Sequence, residues 1–156
     1  MSDVTKIMEM IKEHDITYVD LRFTDTRGKM QHVTQHIDTI DEDALNEGFM
    51  FDGSSIAGWK AINDSDMTLM PDVYRAYIDP FFAQPTLALF CDVLEPSSGE
   101  AYDRDPRGTA KAALAHIETL GIADTAFFGP EAEFFIFEDV KIDVSMNRGM
   151  YSVDSV

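Results

Sequence analysis

The chain has 156 residues, 45% of them hydrophobic, enough to bury about 70% of the unfolded surface as one domain or to form two small units. Against 12 Lys and Arg stand 29 Asp and Glu, a formal net charge of −17 with no basic run, which argues against a nucleic-acid partner or an anionic membrane surface. The one cysteine, Cys91, sits in an apolar run, the N-terminus has no apolar core of signal type, and no stretch approaches the ~18 apolar residues of a membrane span; a soluble, cytoplasmic protein is expected.

Val4, Ile7, Met8 and Ile11 recur at helical spacing and predict a short amphipathic helix over 4–14, with Asp3 as its cap. Ile16–Thr24 alternates, Val19, Leu21 and Phe23 facing one way and Tyr18, Asp20, Arg22 and Thr24 the other. Asp25–Gly28 is a turn, and Lys29–Ile37 returns as the second strand of a hairpin. His32 and His36 share a face of it but are too far apart to chelate one ion, and read as ordinary surface histidines. Asp41–Glu47 predicts a helix stopped by Gly48. Phe49–Asp66 carries too many glycines and serines for a regular element, yet holds Phe51, Ile56 and Trp59, which are costly to leave in water. It either folds onto its own domain or docks elsewhere. Met67–Met70 and Thr86–Val93 are apolar runs of strand length.

The tally of two helices and four strands predicts an α+β fold with a small mixed sheet of β-grasp type. Glu95–Gly99 is the best boundary. The predicted organisation is a helix over 1–15, a β-grasp domain over 16–97 and the start of a second domain over 104–156. Asp105-Pro106 opens a helix with a cap and a proline at the first position; its predicted buried stripe is Ala110, Ala113, Leu114, Ile117 and Leu120, and Gly121 ends it.

Phe128–Phe137, FGPEAEFFIF, predicts a strand with Glu131 and Glu133 on one face and Phe134 and Ile136 on the other, toward the Leu114 and Ile117 stripe. The carboxylates would lie roughly 6.6 Å apart at about 3.3 Å per residue. Their repulsion is about 0.6 kcal/mol in water and about 2.5 kcal/mol at an effective dielectric near 20, so an enclosed pair needs cations. Alone, such a pair is more often a solvated face than a metal site. Lys141–Val156 is polar and without period. One helix and one strand do not make a domain, so the chain reads as the front of a longer protein.

Six stretches occur in order: YVDLRFTDTRGKMQHVT at Tyr18–Thr34, FMFDGSSIAGW at Phe49–Trp59, NDSDMTLMPD at Asn63–Asp72, IDPFFAQPT at Ile78–Thr86, YDRDPRGTAKAA at Tyr102–Ala113 and FGPEAEFF at Phe128–Phe135. Together they resemble the bacterial glutamine synthetases of the twelve-subunit type across nearly the whole chain; only QHIDT at Gln35–Thr39 departs from that pattern. The resemblance implies an N-terminal β-grasp domain followed by an incomplete catalytic α/β domain. It implies an ATP-dependent ligase that makes L-glutamine from L-glutamate and ammonia through a γ-glutamyl phosphate, in a cytoplasmic dodecamer of two hexameric rings. It also implies two divalent cations, Mg²⁺ or Mn²⁺, with Glu131 and Glu133 matching the family's first two metal-binding glutamates. Asp52 matches the aspartate that binds ammonium in the adjacent subunit and takes its proton; Ser55, Trp59 and Asp66 match the supporting interface. The family's other metal, nucleotide and glutamate ligands correspond to positions after Val156, so this chain alone is expected to be inactive. Two alternatives stay open: a ligase using another amine, and a stand-alone β-grasp interaction module.

Overall fold

The computed structural model describes residues 3–154; residues 1–2 and 155–156, the outer ends of the predicted 1–15 and 104–156 segments, lie outside it. Two compact units result, Met1–Asp124 and Thr125–Val156.

In the first unit, helix α1 (Asp3–Glu13) buries Val4, Ile7 and Ile11, the stripe its sequence spacing sets out. Strands β1 (Tyr18–Thr24) and β2 (Met30–His36) form the expected hairpin, pairing from Tyr18↔His36 to Thr24↔Met30. A single 3₁₀ turn, Ile37–Thr39, leads to helix α2 (Glu42–Glu47). Asp41 caps α2 by accepting the Ala44 N–H, and Gly48 ends it at φ +85°, a left-handed conformation natural to glycine.

The sheet has five strands where the sequence reading counted four. The additional one is β3 (Phe49–Asp52), which lies in the stretch expected to be irregular and pairs antiparallel with β4 (Asp66–Ile78) from Phe49↔Leu69 to Asp52↔Asp66. Phe49-Met50-Phe51 supplies enough β-forming bulk for one short edge strand once β4 offers a ladder, which composition cannot foresee. β4 is also longer than Met67–Met70. It runs through Pro71, with the register against β5 (Thr86–Leu94) shifting between Pro71 and Ala76; proline lacks the N–H a ladder needs, and a bulge absorbs the break. The strand order is β2-β1-β5-β4-β3, with β1 and β5 parallel and the other pairs antiparallel.

One face of this sheet is the core. Val19, Leu21, Met67, Leu69, Leu87, Leu89 and Val93 are fully buried and join Ile7, Ile11 and Leu45 of the helices in one cluster, each such side chain contributing about 1.5–3 kcal/mol of burial free energy. Phe23 of β1 and Phe51 of β3 stand on strands separated by two others, yet their rings are 5.1 Å apart. The sheet is therefore curled enough to bring its two edges toward each other.

Helix α3 (Pro106–Thr119) starts as predicted, with Asp105 accepting the Arg107 N–H and Pro106 in the first turn, and Gly121 follows at φ +64°. Its predicted buried stripe is corrected: α3 buries no residue, with Leu114 40% and Leu120 55% exposed. The helix is held by its polar first turns. Arg107 pairs with Asp92 at 2.7 Å and with Asp72, Lys111 pairs with Asp92, and the Asp105 carboxylate also accepts the Val93 N–H.

In the second unit the predicted strand Phe128–Phe137 is not formed. A strand exists through its ladder, and no described segment pairs with these residues; Phe128, Phe134, Phe135 and Ile136 are all exposed. The regular structure lies later, in a stretch read as aperiodic: β6 (Asp139–Ser145) and β7 (Arg148–Asp154) form a hairpin around Met146 and Asn147. The alternation is present in the sequence, Val140, Ile142 and Val144 on one face against Asp139, Lys141 and Asp143 on the other, but it starts at Asp139, so a segment begun at Lys141 cuts through it.

Candidate functional site

Asp52 closes β3, directly opposite Asp66 at the start of β4. It caps the 3₁₀ turn Gly53–Ser55, and one of its oxygens, Oδ1, accepts both the Ser54 N–H at 2.9 Å and the Ser54 Oγ–H at 2.6 Å. These two Ser54 bonds, then a smaller one from the Ser65 hydroxyl, outweigh desolvation and hold the Asp52 carboxyl below the ordinary aspartate range. The turn cannot drift from β4. The Gly53 N–H donates to Ser65 O at 2.7 Å, and a Cβ on Gly53 would meet Met67 Sδ at 2.4 Å.

Beyond the turn the loop folds onto its own unit. Trp59 is 5% and Ile56 8% exposed, and the indole packs on Phe23 at 5.5 Å and edge-on to Tyr102 at 5.2 Å. The Arg104 guanidinium donates to the carbonyls of Gly58 and Trp59, and Lys60 pairs with Glu95 at 2.8 Å. Of the two options the sequence left for this loop, Ile56 and Trp59 take the first. Asp52, Ser55 and Asp66 stay exposed.

Asp52 and Ser55 line one side of an open hollow of about 430 Å³ between the sheet edges, with Gln31 and His32 of β2 on the other and Phe23 and Phe51 at its apolar wall. His32 is more than the plain surface residue its position suggests. Its Nδ1 lies 2.7 Å from Oδ1 of Asp20, a carboxylate 1% exposed that also accepts from Thr34 Oγ1 and Arg22 Nε at 2.7 Å. Arg22 continues to Asp79 at 2.5 Å and to the Tyr77 hydroxyl. Burial opposes ionisation of Asp20, but the bonds from Arg22, His32 and Thr34 prevail and keep its carboxyl low. Alternation placed Asp20 and Arg22 on the outer face; the cross-strand register Asp20↔Thr34 and Arg22↔His32 is what completes the group, and that pairing cannot be read from one strand.

Glu131 and Glu133 lie in the irregular, exposed segment of the second unit. The expectation of an ordered same-face pair on a strand is corrected for the reason given above: the strand is not formed. Among the described residues no three His, Cys, Asp or Glu gather as a metal cluster. The two carboxylates nonetheless suit hard cations, because Mg²⁺ is commonly held by one or two carboxylates together with substrate phosphates.

Residues 15–96 match the family model described as glutamine synthetase, beta-Grasp domain, and residues 103–156 match the glutamine synthetase catalytic domain. Among curated proteins, the chain is 63% identical to glutamine synthetase of Azospirillum brasilense and 57% identical to that of Rhizobium meliloti, each over 99% of this chain and 33% of the relative. The chain thus spans about a third of the length of these relatives. Its fold is also that of a Plasmodium falciparum glutamine synthetase structure, with TM-score 0.76 and 24% identity over 99% of this chain and 30% of the other. A GmaS/ADP complex matches at TM-score 0.65 and 24% identity, over 77% of this chain and 26% of that one. With the β-grasp model spanning more than half of its residues and the catalytic-domain model following it in sequence order over 103–156, the chain belongs to the glutamine synthetase family.

Proposed function

We propose that this chain is the N-terminal third of an ATP-dependent ligase that joins ammonia to the side-chain carboxylate of L-glutamate through a γ-glutamyl phosphate, yielding L-glutamine. The observation that carries the reading is the 63% identity to a curated bacterial glutamine synthetase across 99% of the chain. Asp52, on its exposed turn at the sheet edge, attracts ammonium; Ser55, Trp59 and Asp66 support the loop that presents it. Glu131 and Glu133 contribute carboxylate oxygens to two divalent cations, Mg²⁺ or Mn²⁺. Those ions, when bound, neutralise charge on the nucleotide phosphates and the transferring phosphoryl group. The assembly is a cytoplasmic homo-oligomer, a dodecamer of two hexameric rings, in which Asp52 serves the neighbouring subunit.

The amine acceptor is ammonia in this reading because Asp52 matches the family's ammonium-binding aspartate, whose negative charge attracts that small cation. No helix among the described residues is long and apolar enough to cross a membrane.

A chimera carrying these 156 residues in place of the first third of the Azospirillum brasilense protein tests the reading. Glutamine formation from glutamate, ammonia and ATP is expected, with losses of roughly 10²-fold or more in Asp52→Ala and in Glu131→Ala/Glu133→Ala. An assembled chimera that makes no glutamine would refute it. The 156-residue chain alone should show no γ-glutamyl transfer.

A further inference from the structure

Arg104 does not line the hollow that Asp52 faces, yet a run of hydrogen bonds joins the two residues. Asp52 Oδ1 accepts the Ser54 N–H at 2.9 Å, Gly53 O accepts the Ile56 N–H at 3.2 Å, and Ile56 O accepts the Trp59 N–H at 3.1 Å. The Trp59 carbonyl then accepts from Arg104 Nη1 at 3.2 Å, and the same nitrogen donates to the Gly58 carbonyl. At Gly58 the loop backbone lies in open space, where a Cβ would meet nothing within 4 Å, so packing does not restrain that carbonyl. Arg104 itself stands on a fixed base. The Tyr102 N–H donates to Val93 O at 2.9 Å, the Tyr102 ring lies edge-on to the Trp59 indole, and the Asp105 N–H donates to Tyr102 O at 3.1 Å. A guanidinium carried on so constrained a segment loses little freedom when it takes up its two carbonyls.

We propose that Arg104 is a positioning residue for Asp52: it clamps the far end of the Gly53–Trp59 loop to the segment between β5 and α3, and so fixes the direction in which the turn presents the Asp52 carboxylate. The near end is held by the Gly53 N–H on Ser65 O. One anchor alone would leave the loop free to twist about it; the second, at Gly58 and Trp59, removes that freedom. That Asp52 serves ammonium rests on the ligase reading, whereas the clamp does not.

Amide hydrogen exchange of the 156-residue chain, followed by NMR, tests the clamp. Arg104→Met should speed exchange of the Ile56 and Trp59 amides about tenfold, the loss expected when hydrogen bonds from a charged donor are removed. Leu21 and Leu89, paired in the β1–β5 ladder, should keep their wild-type rates. Both bonds come from one nitrogen, so the ammonium of Arg104→Lys, with its three donors, should restore slow exchange. Unchanged loop amides in Arg104→Met, equal acceleration in loop and ladder, or an Arg104→Lys chain as fast as Arg104→Met would each overturn the proposal. In the chimera, Arg104→Met should lower kcat/KM for ammonium about threefold to tenfold, because a carboxylate turned out of line holds that cation less well. It should leave kcat/KM for ATP within about twofold of wild type. A simple loss of folded enzyme lowers both equally, and that result would sink the positioning role. A wild-type chimera without glutamine formation would instead remove the ligase reading, leaving hydrogen exchange to decide for or against the clamp.

Discussion

Replacing Asp105 by alanine should destabilise the first unit by about 3 kcal/mol, because its two carboxylate oxygens do different work. Oδ1 accepts the Arg107 N–H at 2.9 Å and so caps α3; Oδ2 accepts the Val93 N–H at 3.2 Å inside the unit, and the residue is 1% exposed. Losing the cap costs ~1 kcal/mol, and leaving the Val93 N–H buried without an acceptor costs about 1–3 kcal/mol more. Asparagine has one acceptor oxygen and an amide that only donates, so it can replace either bond but not both. Asp105→Asn should therefore fall between wild type and Asp105→Ala, at a cost of about 1–2 kcal/mol. Urea unfolding followed by far-UV circular dichroism measures both, with the m-value unchanged if only stability has moved. An Asp105→Asn chain as stable as wild type would refute the two-oxygen argument, since one acceptor would then suffice. An Asp105→Ala chain within ~0.5 kcal/mol of wild type, the range of an ordinary surface change, would refute the anchoring of α3 through this residue altogether.

Asp20 makes stability depend on acid. Its carboxyl is held below the ordinary value of 3.8 in the folded chain, so its contribution is complete above that value and is lost as pH falls through the lower, folded value. Urea midpoints should be flat from neutral pH to about 5 and then drop; Arg22→Met, which removes the main favourable partner of a buried carboxylate, should cost about 2–4 kcal/mol at neutral pH. Equal midpoints for Arg22→Met and wild type would contradict this. Gly53→Ala forces a Cβ to within 2.4 Å of Met67 Sδ and should destabilise by about 1–3 kcal/mol through overpacking, with Ser54 and Asp52 amide shifts perturbed in the same spectrum. Leu114→Glu/Leu120→Glu should change the stability of this chain by no more than ~0.5 kcal/mol, since both side chains are substantially exposed; a large loss would show that the stripe is covered after all.

What the amino-acid sequence determined by itself is the local chemistry of each element. The 3.6-residue period of Val4, Ile7 and Ile11, the alternation of Tyr18–Thr24, the Asp105 cap and the Gly48 stop depend on residues a few positions apart, and each is realised where it was read. The family, too, was written in short motifs. Tertiary structure alone decided what depends on distant partners. Phe49–Asp52 is a strand because β4 lies beside it, whereas Phe128–Phe137 has the stronger strand composition and no described neighbour to pair with. The α3 stripe has the right period, but among the described residues Leu114 and Leu120 stay 40% and 55% exposed. Asp20 gains His32 and Thr34 through strand register, and Asp52 meets Gln31 and His32 across a hollow because the sheet curls. Periodicity fixes which side chains share a face; only the packing of segments far apart in the chain fixes what that face meets.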